Sequence, residues 1–380
     1  MKLFVVIPCY NEPNVVSSLQ SIADCNPPTL PVTVIVVVNS ELDCEPAVIQ
    51  QHERSLQEIR NWQSTKPAWI ELEILNIKDV PNKIAGVGNA RKTGMDHGFE
   101  LAEGKHDSIL ICYDADCTCT ENYLTAIEDA FEANPNHDVA TIYFEHNNLS
   151  SEAIVDYELF LRYHYQGLKY TGYPYAYQTI GSSMAVRADT YQQFGGMNQR
   201  KAGEDFYFLH KLIPYRQVFE INNCVVYPSS RTSDRVPFGT GHAVAKFDES
   251  ICKTYYTYHP TIYAEIRKCI QLIEKATMET GLDVNQMPTD IQLFLTHQKF
   301  QKALIQFTKQ TKSDVLFRQA IYRWLNGFRM LKLVHFLRDQ SLTNIPIQHA
   351  VSQFWTMNYN TKLSLTNKEW LERFRKLEKG

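Results

Sequence analysis

The sequence lacks three features that identify large classes of protein. It has no excess of positive charge, because 38 Lys and Arg residues stand against 42 Asp and Glu residues for a net charge of −4. Such a chain offers no general attraction for nucleic acid, which is therefore not an expected partner. It also has no apolar run long enough for a membrane span, and the apolar segment at the amino terminus meets Pro8 too early for a secretory signal.

The third feature that the sequence lacks is a pair of cysteines with the spacing found in metal-binding and redox motifs. The chain has 9 cysteines, an odd number, and none belongs to a CxxC pair. This pattern favours reduced thiols in a cytoplasmic protein. We therefore expect a cytoplasmic location, with peripheral attachment to the inner face of the cell membrane left open.

What is present is the pattern of an α/β protein. Over residues 1–245, short apolar runs alternate with segments of helical periodicity, which is typical of a mostly parallel sheet flanked by helices. The strand-like runs are "KLFVVI", "VTVIVVV", "WIELEIL" and "DSILICY", and helices are predicted over 13–24, 45–62 and 84–103. Ligands of such sheets bind at the carboxyl ends of the strands.

From residue 250 to 380 the pattern predicts a helical extension. Residues 314–340 are predicted as one helix with an apolar stripe made by Phe317, Ile321, Trp324, Phe328 and Leu331. Its basic residues are scattered around the remaining circumference, whereas a helix that lies on a membrane segregates them more cleanly. We therefore favour packing on the catalytic domain or on a second copy in a homo-oligomer, and membrane contact stays the alternative.

Two aspartates, Asp114 and Asp116, follow the fourth predicted strand on alternate positions. Both can turn toward one hard cation, and Mg²⁺ or Mn²⁺ typically binds one or two carboxylates plus substrate phosphates. Alternatively, Asp114 caps the strand and Asp116 begins the next helix. A third interpretation takes "DADCT" as the motif of an Mg²⁺-dependent phosphatase with Asp114 as the nucleophile. This phosphatase interpretation does not explain the strands and helices that precede Asp114.

Four segments resemble, in this order, the motifs of family 2 glycosyltransferases with the GT-A fold: "VVIPCYNEP", "GVGNARKTGMD", "DAD" and "GGMNQRKAGEDFYFLHKL". The resemblance spans residues 3–245. It implies a GT-A catalytic domain over 1–245, with a donor-binding part over 1–118 and an acceptor part over 119–245. It also implies a nucleotide-diphosphate sugar donor, Mn²⁺ or Mg²⁺ as the metal, and inversion at the anomeric carbon.

The resemblance assigns the nucleoside end of the donor to the first two strand ends. Pro8, Tyr10 and Glu12 line the pocket, with Tyr10 stacking near the base. Asn39 stands where the family often has an aspartate, and its amide can hydrogen-bond a uracil edge. The resemblance therefore favours a UDP-sugar, and a GDP-sugar stays open.

The same resemblance places Asn89 and Arg91 against the nucleotide, where the cationic Arg91 offsets diphosphate charge. Asp114 then lies near the ribose and Asp116 binds the metal. The glycine-punctuated segment "SSRTSDRVPFGTGHAV" adds three candidates that could close over the donor. These are Arg231 and Arg235 for phosphate and His242 as a further metal ligand.

The acceptor side of the predicted site depends on Asp205, which matches the family's catalytic base, and on Glu204 beside it. Adjacent side chains on a helix diverge by about 100°, so we expect the two acids to have different tasks. Gly181 and Ser182 are expected under the donor or acceptor sugar, where small residues permit close approach.

The sequence thus predicts a metal-assisted, inverting glycosyltransferase of polysaccharide biosynthesis. Its acceptor would be a hydroxyl of a saccharide or of a lipid-linked saccharide, with a carboxylate as general base. Two alternatives stay open: the Mg²⁺-dependent phosphatase that uses Asp114 as nucleophile, and a non-catalytic GT-A module that binds nucleotide or glycan.

Overall fold

The computed structural model describes residues 1–104, 107–149, 151–200, 203–231 and 254–380. Their contacts group into two compact units. The first contains residues 1–149 and 179–231, and the second contains 151–178 and 254–378. Residues 151–178, which the sequence pattern assigns to the catalytic domain, therefore group with the carboxyl-terminal helices. The expected boundary between 245 and 250 lies outside the described residues, so the predicted domain extents stay a prediction.

The first unit is built on one eight-stranded sheet with the order β3-β2-β1-β4-β7-β6-β8-β5. Its strands are β1 (Leu3–Cys9), β2 (Val32–Glu41), β3 (Ile70–Val80), β4 (Ile109–Cys112), β5 (Thr118–Cys119), β6 (Val139–Phe144), β7 (Met184–Arg187) and β8 (Val218–Tyr227). The first four pair in parallel, β6 and β8 pair in parallel, and β7 is antiparallel to both β4 and β6. The predicted mixed α/β architecture with a mostly parallel sheet is confirmed.

Helices connect these strands because apolar faces recur at helical spacing between the apolar runs. In chain order they are α1 (Val15–Ala23), α2 (Pro46–Gln63), α3 (Val87–Leu101), α4 (Tyr123–Ala133), α5 (Glu152–Thr171), α6 (Ala188–Gln193) and α7 (Glu204–Leu212). Of these, α5 belongs to the second unit. Every residue of β1 and β4 is buried, as expected for central strands covered on both faces.

Two glycines of α3 determine how closely this helix approaches the sheet. A Cβ on Gly94 would collide with the side chain of Val6, and a Cβ on Gly98 would lie 3.0 Å from Leu110 Cδ2. Since glycine has no side chain, α3 packs directly on β1 and β4. The first turns of α3 are therefore held near the carboxyl ends of these strands, where the predicted site residues lie.

The second unit is helical apart from two short strands. After α5 its elements are β9 (Tyr256–Thr257), α8 (Thr261–Lys275), a 3₁₀ turn (Val284–Gln286), α9 (Thr289–His297), α10 (Phe300–Gln310), α11 (Asp314–Trp324), α12 (Gly327–Gln340), β10 (Ile345–Pro346), α13 (Ile347–Tyr359) and α14 (Asn367–Lys379). The prediction of a helical carboxyl-terminal region is confirmed.

A buried ionic network ties α5 to α14 within this unit. Glu158 of α5 is fully buried and accepts hydrogen bonds from Arg162 Nε at 2.8 Å and from Arg375 Nη2 at 2.7 Å. Arg162 in turn donates to Glu378. Because a buried charge is tolerated only when it is paired, these contacts explain why residues 151–178 belong with the carboxyl-terminal helices.

The prediction of one helix over residues 314–340 is wrong. The chain leaves the helix after Trp324 and starts a new one at Gly327, where the side chain of Asn326 accepts a hydrogen bond from Arg329 N at 3.1 Å. Asn is a preferred cap at a helix start, and this signal overrides the apolar periodicity. The predicted stripe is therefore divided, with Phe317 fully buried on α11 and Phe328 37% exposed on α12.

A separate observation concerns membranes. Within the part of the chain that the structure describes, no helix combines the length and the apolar character that crossing a bilayer requires.

Candidate active site

The carboxyl ends of β1 and β4, which are parallel neighbours, bring together the first group of predicted acids. One carboxylate oxygen of Asp114, one of Asp116 and the sulfur of Cys117 all lie within 4.8 Å of one another. Burial raises the pKa of the Cys117 thiol, which stays protonated and is a poor partner for a hard cation. The two carboxylates, about one-third exposed, are the oxygen donors that Mg²⁺ and Mn²⁺ prefer. They therefore fit the metal expected of this site.

Arg231 links the end of β1 to this pair of aspartates. Its guanidinium donates to both carboxylate oxygens of Glu12, with Nη1 3.0 Å from Oε1, and Nη2 also lies 3.4 Å from Asp116 Oδ2. Glu12 is only 1% exposed, and this pairing stabilises its buried charge. A protein cation therefore lies beside one of the carboxylates predicted to bind a metal cation.

The loop that carries Glu12 is held in an unusual backbone conformation. Asn11 has a φ of 47°, in the left-handed region that asparagine tolerates better than most residues. Its N–H donates to His52 Nε2 at 3.0 Å, and burial lowers the pKa of His52, which keeps the ring neutral and able to accept. Ser55 Oγ donates to the Glu12 carbonyl at 2.8 Å. Two residues of α2 therefore position the Glu12 loop.

Arg91, in the first turns of α3, connects Asp114 to Glu204, the neighbour of the predicted base Asp205. It is 2% exposed, and its Nη2 donates to Asp114 Oδ1 at 2.5 Å while its Nη1 donates to Glu204. Its Nε atom is buried without a hydrogen-bond partner. The expected contact of Arg91 with the donor diphosphate stays a prediction, since the guanidinium is already engaged by two acids.

Glu204 and Asp205 occupy the first turn of α7 and have different surroundings, as expected for adjacent helical residues. Glu204 is 2% exposed, and burial raises its pKa to about 7 although Arg91 opposes the effect. Burial likewise raises the pKa of Asp205, whose Oδ1 accepts from Phe206 N at 2.7 Å. Glu204 is thus fixed by Arg91, and Asp205 Oδ2 is left for other partners.

Gly181 lies directly against this acid pair. A Cβ at this position would be 2.7 Å from Arg91 Nη1 and 2.9 Å from Asp205 Oδ2, so any side chain would displace one of them. Ser182 is 2% exposed, and its side chain lowers the pKa of the buried Cys117 thiol, although burial has the larger, opposite effect. The small residues predicted near the sugar are therefore close to Asp205 on one side and to Cys117, the residue after Asp116, on the other.

The predicted nucleoside residues surround the ends of β1 and β2. Asn39 is 1% exposed, its Nδ2 donates to the Gly86 carbonyl at 3.3 Å, and its Oδ1 is buried without a partner. Tyr10 donates to Glu41 Oε1 at 2.8 Å and presents its ring edge to His52 at 5.3 Å between centroids. The orphaned Oδ1 of Asn39 marks a place where a ligand donor would be favourable.

The remaining predicted residues take several positions. Pro8 is buried within β1. Asn89 is 5% exposed, and its Oδ1 accepts from Gln199 Nε2 at 3.0 Å. Arg235 and His242 lie outside the described residues, so their predicted roles stay predictions. Sequence reasoning missed Gln199 and His52, because one polar residue in a loop or a helix carries no local pattern.

A sequence profile of glycosyl transferase family 2 matches residues 4–191 of the chain. No curated protein sequence matches the chain.

Among solved structures, the chain is similar to S. aureus TarS 1-349 in complex with UDP-GlcNAc, at 15% identity and a TM-score of 0.45, over 87% of this chain and 92% of that chain. It is also similar to the mannosyltransferase PcManGT from Pyrobaculum calidifontis in complex with GDP-Man and Mn²⁺, at 13% identity and a TM-score of 0.40, over 100% of this chain and 86% of that chain. At such scores these likenesses identify no substrate for this chain. The match covers the first three of the four motifs and confirms the resemblance to this family: the chain belongs to glycosyl transferase family 2 and is a glycosyltransferase.

Proposed function

We propose that this glycosyltransferase moves a sugar from a nucleotide-diphosphate donor to a hydroxyl of a saccharide or lipid-linked saccharide, with inversion and with a divalent metal. One observation carries the proposal: Arg91 holds Asp114 on one side and Glu204, the neighbour of Asp205, on the other. The residues predicted for donor and acceptor chemistry therefore share one cluster. The acceptor class and a role in polysaccharide biosynthesis rest on the family resemblance, and the proposed cytoplasmic location rests on the cysteine pattern.

The grouping of two carboxylates after β4 supports a cationic ligand. One oxygen of Asp114 and one oxygen of Asp116 lie within 4.8 Å of each other. Asp116 and Asp114 would hold Mn²⁺ or Mg²⁺ through oxygen. When bound, such a cation neutralises negative charge that grows on the departing diphosphate.

The acceptor hydroxyl needs a base as its oxygen attacks the anomeric carbon. Asp205 is the candidate, because burial raises its pKa above the usual range and gives the carboxylate more affinity for a proton. Glu204 would act as a positioning residue that fixes the first turn of α7 through Arg91. Both acids lie beyond the residues that the family profile matches, so their roles rest on the cluster and on the "GEDFYF" motif.

The nucleotide base is proposed from Asn39. Since its Nδ2 is bound to the Gly86 carbonyl, its free group is the Oδ1 acceptor, which requires an N–H on the base. Uracil offers N3–H and guanine offers N1–H, whereas the ring nitrogen of cytosine at the same edge is an acceptor. This supports a UDP-sugar as the favoured donor, and a GDP-sugar is the second candidate.

The phosphatase alternative is set aside. It requires Asp114 as a free nucleophile, whereas Asp114 Oδ1 is engaged by Arg91, and the family match accounts for the upstream strands and helices. The non-catalytic module is also set aside, because the chain is a glycosyltransferase.

A panel of UDP- and GDP-sugars, each with and without Mn²⁺, tests the proposal. A ligand that binds the folded chain at 100 times its Kd stabilises it by about 2.7 kcal/mol, so a correct donor should raise the melting temperature in an Mn²⁺-dependent way. The same donor should be slowly hydrolysed in the absence of acceptor. If no nucleotide sugar raises the melting temperature and none is consumed, the proposed donor class is wrong.

A further inference from the structure

Two cysteines far apart in sequence are in contact beside a surface cavity. Cys25 follows the end of α1, Cys119 lies in β5, and their sulfur atoms are 3.7 Å apart across 94 positions of sequence. Cys25 is 4% exposed, whereas Cys119 is partly exposed and lines a cavity of about 520 Å³. A small molecule in this cavity could reach Cys119 first and Cys25 only through it.

The two segments that carry the thiols are held together on both sides of the sulfur pair. Cys119 N donates to Ser21 Oγ of α1 at 2.9 Å, and Asn26 N donates to the Glu121 carbonyl at 2.7 Å. The backbones are thus already aligned. A disulfide needs a sulfur separation of about 2.05 Å, which side-chain rotation can approach when backbones are close.

A metal site is a less suitable explanation for the same pair. Zinc usually takes four ligands in a structural site. Among the described residues, the group of three or more metal-ligating side chains is Asp114, Asp116 and Cys117, which does not include Cys25 or Cys119. A pair of thiols with no third ligand favours redox chemistry over metal binding.

The two thiols are also unequal in exposure, which suits stepwise oxidation. Cys119 is partly exposed, whereas Cys25 is 4% exposed, and the contact between the two sulfur atoms lowers the pKa of the Cys119 thiol. The thiolate is the nucleophile in disulfide exchange. Cys119 is therefore suited to attack, and Cys25 is suited to resolve the intermediate.

We propose that Cys25 and Cys119 form a redox-active dithiol that a low-molecular-weight disulfide converts into an intramolecular disulfide. The Cys119 thiolate attacks glutathione disulfide, forms a mixed disulfide and releases one glutathione. The Cys25 sulfur then attacks Cys119 Sγ and displaces the second glutathione. Two thiols are oxidised by two electrons, two protons are lost from the protein, and glutathione disulfide is reduced to two glutathione molecules.

The bond would fasten the end of α1 to the strand that follows the "DAD" segment. It would restrain the helix that follows Glu12 and the segment that follows Asp116, so both lie next to residues of the proposed donor site. The proposal itself does not depend on the identity of the donor or on the transfer reaction. If the disulfide does not form, the proposed glycosyltransferase function still stands. If the proposed donor or transfer reaction is wrong, the dithiol proposal still stands.

Peptide mapping of the full chain in glutathione redox buffers tests the dithiol. After denaturation and alkylation, we expect a Cys25–Cys119 cross-linked peptide in oxidising buffer, a mass loss of about 2 Da for the two departed hydrogens, and full reversal by dithiothreitol. The other 7 of the 9 cysteines should remain open to alkylation. If Cys25 and Cys119 are both alkylated in every buffer, or if Cys119 keeps a glutathione adduct in the unmutated chain, the proposal is overturned.

Variants separate the two roles. Cys25→Ser should stop the reaction at a stable glutathione adduct on Cys119, and Cys119→Ser should leave Cys25 unmodified. Cys44→Ser is the matched control, because Cys44 is a partly exposed free cysteine outside this pair. It should form the cross-link as the unmutated chain does. An adduct on Cys25 in Cys119→Ser would contradict the assignment of Cys119 as the attacking thiol.

Discussion

Arg91 and Glu204 lie 113 positions apart in the sequence and form a buried ion pair, with the two side chains 2% and 3% exposed. The same guanidinium donates to Asp114 Oδ1 at 2.5 Å. One cation therefore joins a strand end of the donor half to the helix that carries the proposed base. Its loss should affect stability and catalysis together, which makes it the first residue to test.

Arg91→Met should lower the free energy of unfolding by about 3–5 kcal/mol, because it leaves the buried Glu204 without its partner. The double variant with Glu204→Gln should recover part of this loss, with a coupling energy of about 1–3 kcal/mol. Urea denaturation of the two single variants and the double variant measures both quantities.

Lys92→Met is the matched control for Arg91→Met. The neighbouring Lys92 pairs with Asp96 at 2.7 Å on a partly exposed face of the same helix. Removing such a pair should change stability by about 1 kcal/mol or less. If Arg91→Met and Lys92→Met lower the free energy of unfolding equally, the buried ion pair stabilises the fold no more than the partly exposed pair does.

Asp205→Asn should reduce the rate of sugar transfer by about 10²- to 10⁴-fold while the Kd of the donor changes little. The reason is that an amide cannot accept the proton of the acceptor hydroxyl, whereas donor binding depends on other residues. Transfer rates together with donor calorimetry separate the two effects.

Asp189→Asn provides a close control. Asp189 also sits in the first turn of a helix, and its Oδ1 accepts from Thr190 N at 2.6 Å, as Asp205 Oδ1 accepts from Phe206 N at 2.7 Å. Its replacement should leave transfer unchanged. Normal transfer by Asp205→Asn, or the same loss in both variants, would remove Asp205 from the role of base.

Arg231→Ala should tighten the binding of Mn²⁺ in the absence of nucleotide by roughly 2- to 10-fold, since 1.4 kcal/mol corresponds to tenfold. The Arg231 guanidinium lies 3.4 Å from Asp116 Oδ2 and would compete with the metal for that carboxylate. Asp116→Asn should have the opposite effect and weaken Mn²⁺ binding. Calorimetric titration with Mn²⁺ alone measures both.

Arg216→Ala is the matched control for Arg231→Ala, because the two side chains are 30% and 31% exposed and each pairs with an aspartate. Arg216 lies 3.7 Å from Asp138, which is no part of the site. Its loss should leave Mn²⁺ binding unchanged. Weaker binding of Mn²⁺ by Arg231→Ala would show that Arg231 supports the metal site instead of competing for it.

The second unit should lose stability as pH rises toward neutrality because of Glu378. Burial raises the pKa of Glu378 from 4.5 to about 7, although Arg162 opposes the effect. Between these pH values the folded chain keeps a proton that the unfolded chain releases, so the free energy of unfolding falls as pH rises. Glu378→Gln cannot lose that proton and should remove this decline.

Denaturation at pH 5 and pH 8 measures the difference. Relative to the unmutated chain, Glu378→Gln should gain on the order of 1–3 kcal/mol between the two pH values. Glu372→Gln is the control on the same helix, because the Glu372 side chain is 49% exposed. It should show the pH dependence of the unmutated chain. A parallel pH dependence in Glu378→Gln would mean that Glu378 is ionised in the folded chain throughout this range.

Much of the sheet could be predicted from the sequence because its central strands are uninterrupted apolar runs. The run "VTVIVVV" became β2 (Val32–Glu41), extended at its end by polar residues that no apolar pattern includes. The aspartates after β4 could be placed at the edge of the sheet by the rule for strand ends.

What could not be predicted are the partners of charged residues across long stretches of chain. The sequence offers Arg91 as a cation near the nucleotide, but nothing local indicates that it binds Glu204. The same holds for Glu158 and Arg375, 217 positions apart, whose pairing draws α5 into the second unit. Asn326 signals the break between α11 and α12, but the apolar periodicity that continues across the break favours one unbroken helix.

The pairing of Glu158 and Arg375 also bears on how the chain is made. A ribosome delivers α5 long before α14, so during synthesis Glu158 and Arg162 wait without Arg375 and Glu378. Until α14 has been translated, Glu158 and Arg162 still have each other as partners, but they lack the contacts that α14 supplies. Translation that stops short of α14 would leave a fragment in which the face of α5 that α14 covers stays open to solvent, a state that cellular quality control can recognise.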